Sequence, residues 1–340
     1  MYDLTDPADP YWQGAFCSSH LDSSYLLSVR SLVKPSSPTA SQARALLRAP
    51  AATFKDSTAA ARGEYVPTSL LHDGRWSKVL RVRTANSPST DAGAYALKVP
   101  TDDRQRASAA SNMLRHEARI LRRVSHPNLI ALLDCRVSDE QTWLLTPHLE
   151  GATLRHVLDA GLRCPVSYAL WLARQVAQAL SALHEQGWRH GDIRPANIHV
   201  SPSGHATLLD LGLARPLDSS TPNQGGFAGT LTYAAPETLH LGTNADQRSD
   251  LYSLGAVLFH AIAGHPPFLS PNAASLAQAH LQQTPPELPL EACSTATDIR
   301  QLVARLLAKD PLRRPQSAAE LAQRLMRLEI ATMHQRVKAA

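Results

Sequence analysis

His190-Gly-Asp-Ile-Arg-Pro-Ala-Asn197 brings an acid, a guanidinium and an amide close together and stiffens the stretch with Pro195. A short β-forming run, Ala206-Thr-Leu-Leu209, leads into Asp210-Leu-Gly212. Asp192, Asn197 and Asp210 therefore fall at loop positions, each an oxygen ligand or a base. Mg²⁺ takes few protein carboxylates and completes its shell with phosphate oxygens and water. An acid and an amide on one cation, with a second acid nearby, suit phosphoryl transfer. In that chemistry Asp192 accepts or orients the proton of the attacking hydroxyl. Asn197 and Asp210 hold Mg²⁺ on a triphosphate, and Arg194 neutralises the moving phosphoryl group.

Upstream, charge sits where charge is costly. The chain has 28 Arg but only six Lys, with none between Pro100 and Ala308. Lys98, inside Ala96-Leu-Lys-Val99, therefore stands out. One reading is an edge-strand lysine facing water. The other comes from the next helix, expected from about Arg104 to Val124. Met113, Glu117, Ile120 and Val124 fall at i, i+4, i+7 and i+11 and share one face. A carboxylate within an apolar face needs a partner, and Lys98 is the nearest candidate in sequence.

The surrounding pattern predicts an α+β molecule. Strands are expected at Val79 to Arg83 and Ala94 to Val99, joined by the turn Asn86 to Gly93, then at Leu129 to Arg136 and Thr142 to Thr146. Beyond Gly151 the period is helical. Leu172, Val176, Ala179 and Leu183 mark a helix over Val166 to Gln186, stopped by Gly187. Further helices fit Asp246 to Ala263, Ala273 to Gln282, Thr295 to Ala308 and Ser317 to Met333. Strands first and helices after predict two lobes with a cleft between them. Residues 1–62 are rich in Ser, Ala and Pro, acidic first and basic after. They read as a disordered tail with a short helix at Ser41 to Arg48, either a solvated linker or a docking arm for an acidic partner.

Composition narrows the class. The chain has 340 residues, 44% hydrophobic and 19% charged, which is ordinary for a globular protein. The longest nearly apolar run, Leu251 to Gly264, is shorter than the about 20 residues a bilayer span needs. Asp3, Asp6 and Asp9 stand where a secretory leader carries basic residues. Cys17, Cys135, Cys164 and Cys293 show no Cys-x-x-Cys spacing, which predicts neither a disulfide framework nor a zinc site and suits a reducing cytoplasm. The net charge of +5 is spread along the chain, without the basic stripe of a nucleic-acid binder.

From Tyr65 to Arg327 these pieces resemble, in order, the Ser/Thr protein kinase family. Ala96-Leu-Lys98 is similar to its strand-three lysine motif, Glu117 to its helix glutamate, and His126-Pro-Asn128 to the turn that follows. His190-Gly-Asp192 through Asn197 resembles the catalytic loop, and Asp210-Leu-Gly212 the metal-binding motif. Gly229-Thr-Leu-Thr-Tyr-Ala-Ala-Pro-Glu237 resembles the end of the activation segment. Asp250 matches the acid that ties down the catalytic loop, although it could instead cap its own helix. Arg314 matches the arginine that pairs with Glu237, although it could instead be solvated. The resemblance implies a kinase domain over 63–336, with a small lobe at 63–147 and a helical lobe at 148–336. It implies ATP and Mg²⁺ in the cleft, with Gly74, Val79, Ala96, Lys98, Thr146 and His148 around the nucleotide. His190 then supports the metal-binding loop, and Thr230 contacts Asp192 and helps admit a Ser or Thr acceptor on a protein substrate.

The chain also departs from that pattern. In His72-Asp-Gly-Arg-Trp-Ser-Lys-Val79 only Gly74 and Val79 of the glycine-rich loop survive, which loosens the expected grip on phosphate. Gly191 replaces the arginine that pairs with a phosphorylated activation segment. Phosphate on Ser219, Ser220 or Thr221 is therefore expected to lose that partner, leaving activity independent of it. Arg194 replaces lysine and Leu211 replaces phenylalanine. Thr146 at the gatekeeper position implies an open back pocket. Two alternatives stand beside a Ser/Thr kinase. One is a pseudokinase scaffold, favoured by the degraded loop. The other is a small-molecule phosphotransferase, whose loop His190-Gly-Asp192 also resembles.

Overall fold

A computed structural model describes residues 65–88, 93–161, 163–217, 229–239, 245–291 and 295–339, with side chains to residue 332. The expected tail, the helix Ser41 to Arg48, and Ser219, Ser220 and Thr221 lie outside the described residues.

The first part is a five-stranded antiparallel sheet in the order β1-β2-β3-β5-β4. Its strands are β1 Tyr65–Asp73, β2 Ser77–Thr84, β3 Tyr95–Pro100, β4 Asp134–Val137 and β5 Thr142–Pro147. Register divides its two faces. Leu80 pairs with Leu97, and Leu97 with Leu145. These three join Val82, Val99 and Trp143 in a small apolar core. The other face carries Val79 opposite Lys98, and Ala96 opposite Thr146. Paired residues share a face, and so do residues two apart. Four of the residues expected around a nucleotide therefore lie side by side.

Helix α1, Ala107–Leu121, packs across this sheet, burying Leu114 and Ala118 against Leu144. It is shorter than expected at both ends. The expected strand from Leu129 is also corrected. Leu129 forms an isolated bridge with Leu208, and Ile130 N donates to Leu208 O at 3.0 Å. These residues join the two parts singly, and a ladder starts only at Asp134.

The second part is helical: α2 Leu154–Asp159, α3 Val166–Glu185, α4 Pro236–Leu239, α5 Gln247–Ala263, α6 Ala273–Gln282, α7 Ala296–Leu306 and α8 Ala318–Ala339. The stripe Leu172, Val176, Ala179 and Leu183 of α3 is fully buried in the main core, together with Leu254, Val257 and Leu258 of α5. The cap of α5 is Asp246, whose carboxylate accepts from Arg248 N at 2.8 Å. Asp250 is therefore not the cap. Four short strands lie in front of the bundle: β7 Trp188–Arg189, β8 Ile198–Val200, β9 Ala206–Leu208 and β10 Arg215–Pro216, with β6 Ala152–Thr153 beside β8. The loops between them carry the polar residues of the next section.

Candidate active site

The His190–Asn197 loop is built from its own side chains. Pro195 opens a 3₁₀ turn over Pro195–Asn197, which brings Asn197 back onto Asp192. Asn197 Nδ2 donates to Asp192 O at 2.8 Å and to Asp192 Oδ2 at 3.0 Å. Thr230 N donates to the other carboxylate oxygen, Oδ1, at 3.0 Å. Arg194 Nη1 donates to Thr230 Oγ1 at 2.7 Å, and its Nε lies 3.6 Å from Asp192 Oδ2. Asp192, Arg194, Asn197 and Thr230 thus form one cluster. The Thr230 contact with Asp192 runs through its backbone, and its hydroxyl goes to Arg194.

Beneath the loop, Asp250 accepts from the backbone N–H of His190 at 2.7 Å and of Gly191 at 2.9 Å, and pairs with His184 Nε2 at 2.9 Å. Burial raises the cost of its charge, but His184, the nearby His190 ring and the Gly191 N–H outweigh that and hold its carboxyl below the ordinary value. His190 Nε2 lies 3.0 Å from Leu209 O, and Leu209 N donates to Asn197 O at 2.8 Å. The loop carrying Asp192 and the loop carrying Asp210 are therefore tied together.

Lys98 reaches this place from the sheet. Its Nζ lies 2.7 Å from Glu117 Oε2 and 2.9 Å from Asp210 Oδ1. Burial opposes the ammonium charge, yet the two carboxylates together raise its pKa well above the ordinary lysine range. Asp210 is pulled the other way. Burial would raise it, and Lys98 overrides this and holds it at about 2. Glu117, 3% exposed, is raised, because burial and the like charge of Asp210 exceed the help from Lys98. Asp210 is the only non-glycine residue with positive φ among the described residues, at 62°. Asp tolerates that conformation better than most residues, and such outliers gather at functional sites. The contact of Lys98 with Asp210, 112 residues away, was not foreseen from the sequence. Neither was the role of His184 beneath Asp250.

The donor set suits a hard cation. Asn197 spends its amide nitrogen on Asp192, which leaves Oδ1 as an open acceptor. Asp210 Oδ2 makes no hydrogen bond among the described residues. Two such oxygens suit Mg²⁺ sharing its shell with phosphate. They do not make a complete protein cage, and no group of three His, Cys, Asp or Glu able to hold a metal occurs among the described residues.

The remaining predicted positions lie on the five-stranded sheet or in its connecting loops. Gly74 sits at the tip of the β1–β2 hairpin, where its N–H donates to Ser77 O at 3.0 Å. Thr146 Oγ1 donates to Ala96 O at 3.4 Å. The N–H of His148 is engaged with Ala94 O at 2.8 Å, so that backbone donor is not open to a ligand. The segment ending at Glu237 is anchored by Arg314, whose two Nη atoms grip the Glu237 carboxylate at 2.7 and 2.8 Å. Arg314 is 3% exposed and so is not a solvated side chain.

The sequence profile of the protein kinase domain family matches residues 65–326. The chain belongs to this family. Among curated relatives, this kinase domain is 34% identical over 277 residues to the serine/threonine-protein kinase pkn2 of Myxococcus xanthus, covering 76% of this chain and 33% of that protein. It is 31% identical over 239 residues to PknB of Mycobacterium leprae, covering 68% and 38% respectively. It is 32% identical over 260 residues to PknJ of Mycobacterium tuberculosis, covering 74% and 43%. The kinase chain thus spans between a third and a half of the length of these relatives. No helix among its described residues is long and apolar enough to cross a membrane.

Proposed function

We propose that this chain transfers the γ-phosphate of Mg-ATP to Ser or Thr hydroxyls of a protein. The observation that carries this reading is the posture of Asp192. Its two carboxylate oxygens are oriented by Asn197 and Thr230 N, and its side chain remains 14% exposed. Such a carboxylate orients the acceptor hydroxyl and takes its proton. Lys98, fixed between Glu117 and Asp210, presents its charge to the triphosphate. Asn197 Oδ1 and Asp210 Oδ2 hold Mg²⁺, which when bound neutralises charge on the phosphate oxygens. Arg194, braced on Thr230, offsets charge on the phosphoryl group as it moves. Val79, Ala96 and Thr146 make an apolar floor for the base, with Gly74 above the phosphates and His148 at the edge through its side chain or carbonyl.

The protein-acceptor reading is supported by Thr230 and by the segment through Glu237, which Arg314 and Ser249 hold in place. The names of the relatives point the same way. The test is to incubate the full chain with Mg-ATP, a generic basic protein and small hydroxyl compounds such as an aminoglycoside and choline, and to map the phosphate by mass spectrometry. Phosphate on Ser or Thr supports the proposal. Phosphate on the small compounds alone, or none anywhere, overturns it.

A further inference from the structure

A bulge decides which face of the sheet carries His72. Leu70 pairs with Leu80, but His72 pairs with Val79, so β1 spends one extra residue, Leu71, against β2. A slip of one residue moves the side chains that follow to the other face, and bulges re-aim them in this way. Leu70 packs on the small apolar core of the sheet. In a regular ladder His72 would stand on that same face, opposite Lys78. With the bulge it joins Val79 and, beyond Val79, Lys98 in one cross-strand row. This is the face from which Lys98 reaches Glu117 and Asp210.

The ring has a seat at the hairpin tip. A Cβ on Gly74 would lie 2.6 Å from His72 Nε2, so the one glycine that survives there makes the room the imidazole occupies. The N–H of Gly74 is already given to Ser77 O at 3.0 Å. The other basic side chains of this end are turned elsewhere. Lys78 pairs with Val99 on the opposite face and forms an ion pair with Asp102. The Arg75 guanidinium lies over the Trp76 ring, 5.1 Å from its centre. His72 is exposed, and its side chain makes no hydrogen bond or ion pair among the described residues.

We propose that His72 is a specificity-determining residue of this nucleotide site, its imidazole N–H donating to the triphosphate in place of the backbone donors that the lost glycines would present. Glycine is required where the backbone itself must approach phosphate closely. A side chain that spans the gap removes that requirement, which accounts for a histidine at 72 and a serine at 77 in a chain that keeps Lys98, Asn197 and Asp210. A hydrogen bond to a phosphate oxyanion is of the strong, charge-assisted kind, so one donor can offset much of what the altered loop gives up. The inference rests on Mg-ATP being the phosphate donor, as proposed above, and names the residue through which the hairpin holds it.

The test is calorimetric titration of the full chain with Mg-ATP and, separately, with adenosine, for wild type, H72A and H72Q, with melting temperatures taken without nucleotide. His72 is exposed, so both variants should melt with wild type. H72A should bind Mg-ATP about tenfold more weakly or worse, as loss of a hydrogen bond to a charged group does, and should bind adenosine as wild type does. H72Q keeps an N–H donor and should stay within about threefold of wild type for Mg-ATP. Unchanged or tighter Mg-ATP binding by H72A, an equal loss for adenosine, or a loss in H72Q as large as in H72A would overturn the proposal. Because the readout is binding, a wild type that binds Mg-ATP but phosphorylates no protein overturns the transfer reading and leaves this one standing on its own titrations. A wild type that binds no Mg-ATP overturns both.

Discussion

At the scale of single residues, the backbone explains an exchange that the side chains do not. Gly191 has φ 79°, and a Cβ there would meet Leu213 O at 2.8 Å. A left-handed L-residue costs about 1–2 kcal/mol before that contact is counted. Gly191→Arg should lower the melting temperature by several degrees, at roughly 2–4 °C per kcal/mol, and a melt equal to wild type would refute the argument. Lys98 is the opposite case, a residue defined by its partners. Lys98→Met leaves Glu117 and Asp210 facing each other without a cation and should reduce phosphoryl transfer by about 10²-fold or more, measured as initial rate at saturating Mg-ATP. Most of these residues were legible in the sequence, because a base, an amide and a metal-binding acid at short spacing have few other uses. Asp210 as a second partner of Lys98 was not, since nothing local marks a contact across 112 residues.

At the scale of elements, the helices were the most readable part. The stripe on α3 and the Asp246 cap of α5 are local signals, and local signals survive folding. The strand expected from Leu129 did not, because Leu129 and Ile130 satisfy their backbone singly against Leu208. The segment ending at Glu237 depends on a distant element, the turn carrying Arg314. That guanidinium holds the carboxylate with two nitrogens and donates to Ala308 O, Lys309 O and Arg248 O. Removing one partner of such a buried pair costs about 3–5 kcal/mol. Arg314→Ala should therefore lower stability by that order in denaturant unfolding. Arg314→Lys should recover little of it, since an ammonium cannot reproduce the forked contact. A neutral outcome for Arg314→Ala would show that the segment is held elsewhere.

At the scale of the whole molecule, titration links the parts. Burial is the main cause that lowers His199, His260 and His280 to about 4, so the folded state keeps them neutral. Unfolding returns them to about 6.5, and the unfolded chain then binds more protons between about 4 and 6.5. Stability should rise with pH across that window and fall as it is crossed downward. Asp210, held at about 2, adds a loss in the same direction below its ordinary value near 4. Lys98, held above its ordinary value, stabilises the fold up to about 10.5, and that contribution is lost as pH rises further. Melting temperature against pH should therefore drop on the acid side, less steeply in a His280→Gln variant. A flat profile from 4 to 6.5 would contradict the burial of these rings. The two-lobe plan itself was readable from strands giving way to helices after Gly151. The titration behaviour was not, because it depends on which of the 15 histidines the fold encloses.

The most direct measurement is the rate of γ-phosphate transfer from Mg-ATP to protein hydroxyls by wild type and by Asp192→Asn at equal concentration, with melting temperatures taken on both. The account predicts transfer by wild type, a loss of about 10²–10⁴-fold in the variant, and closely similar melting. Transfer that survives the substitution, or no transfer by a folded wild type, would contradict it.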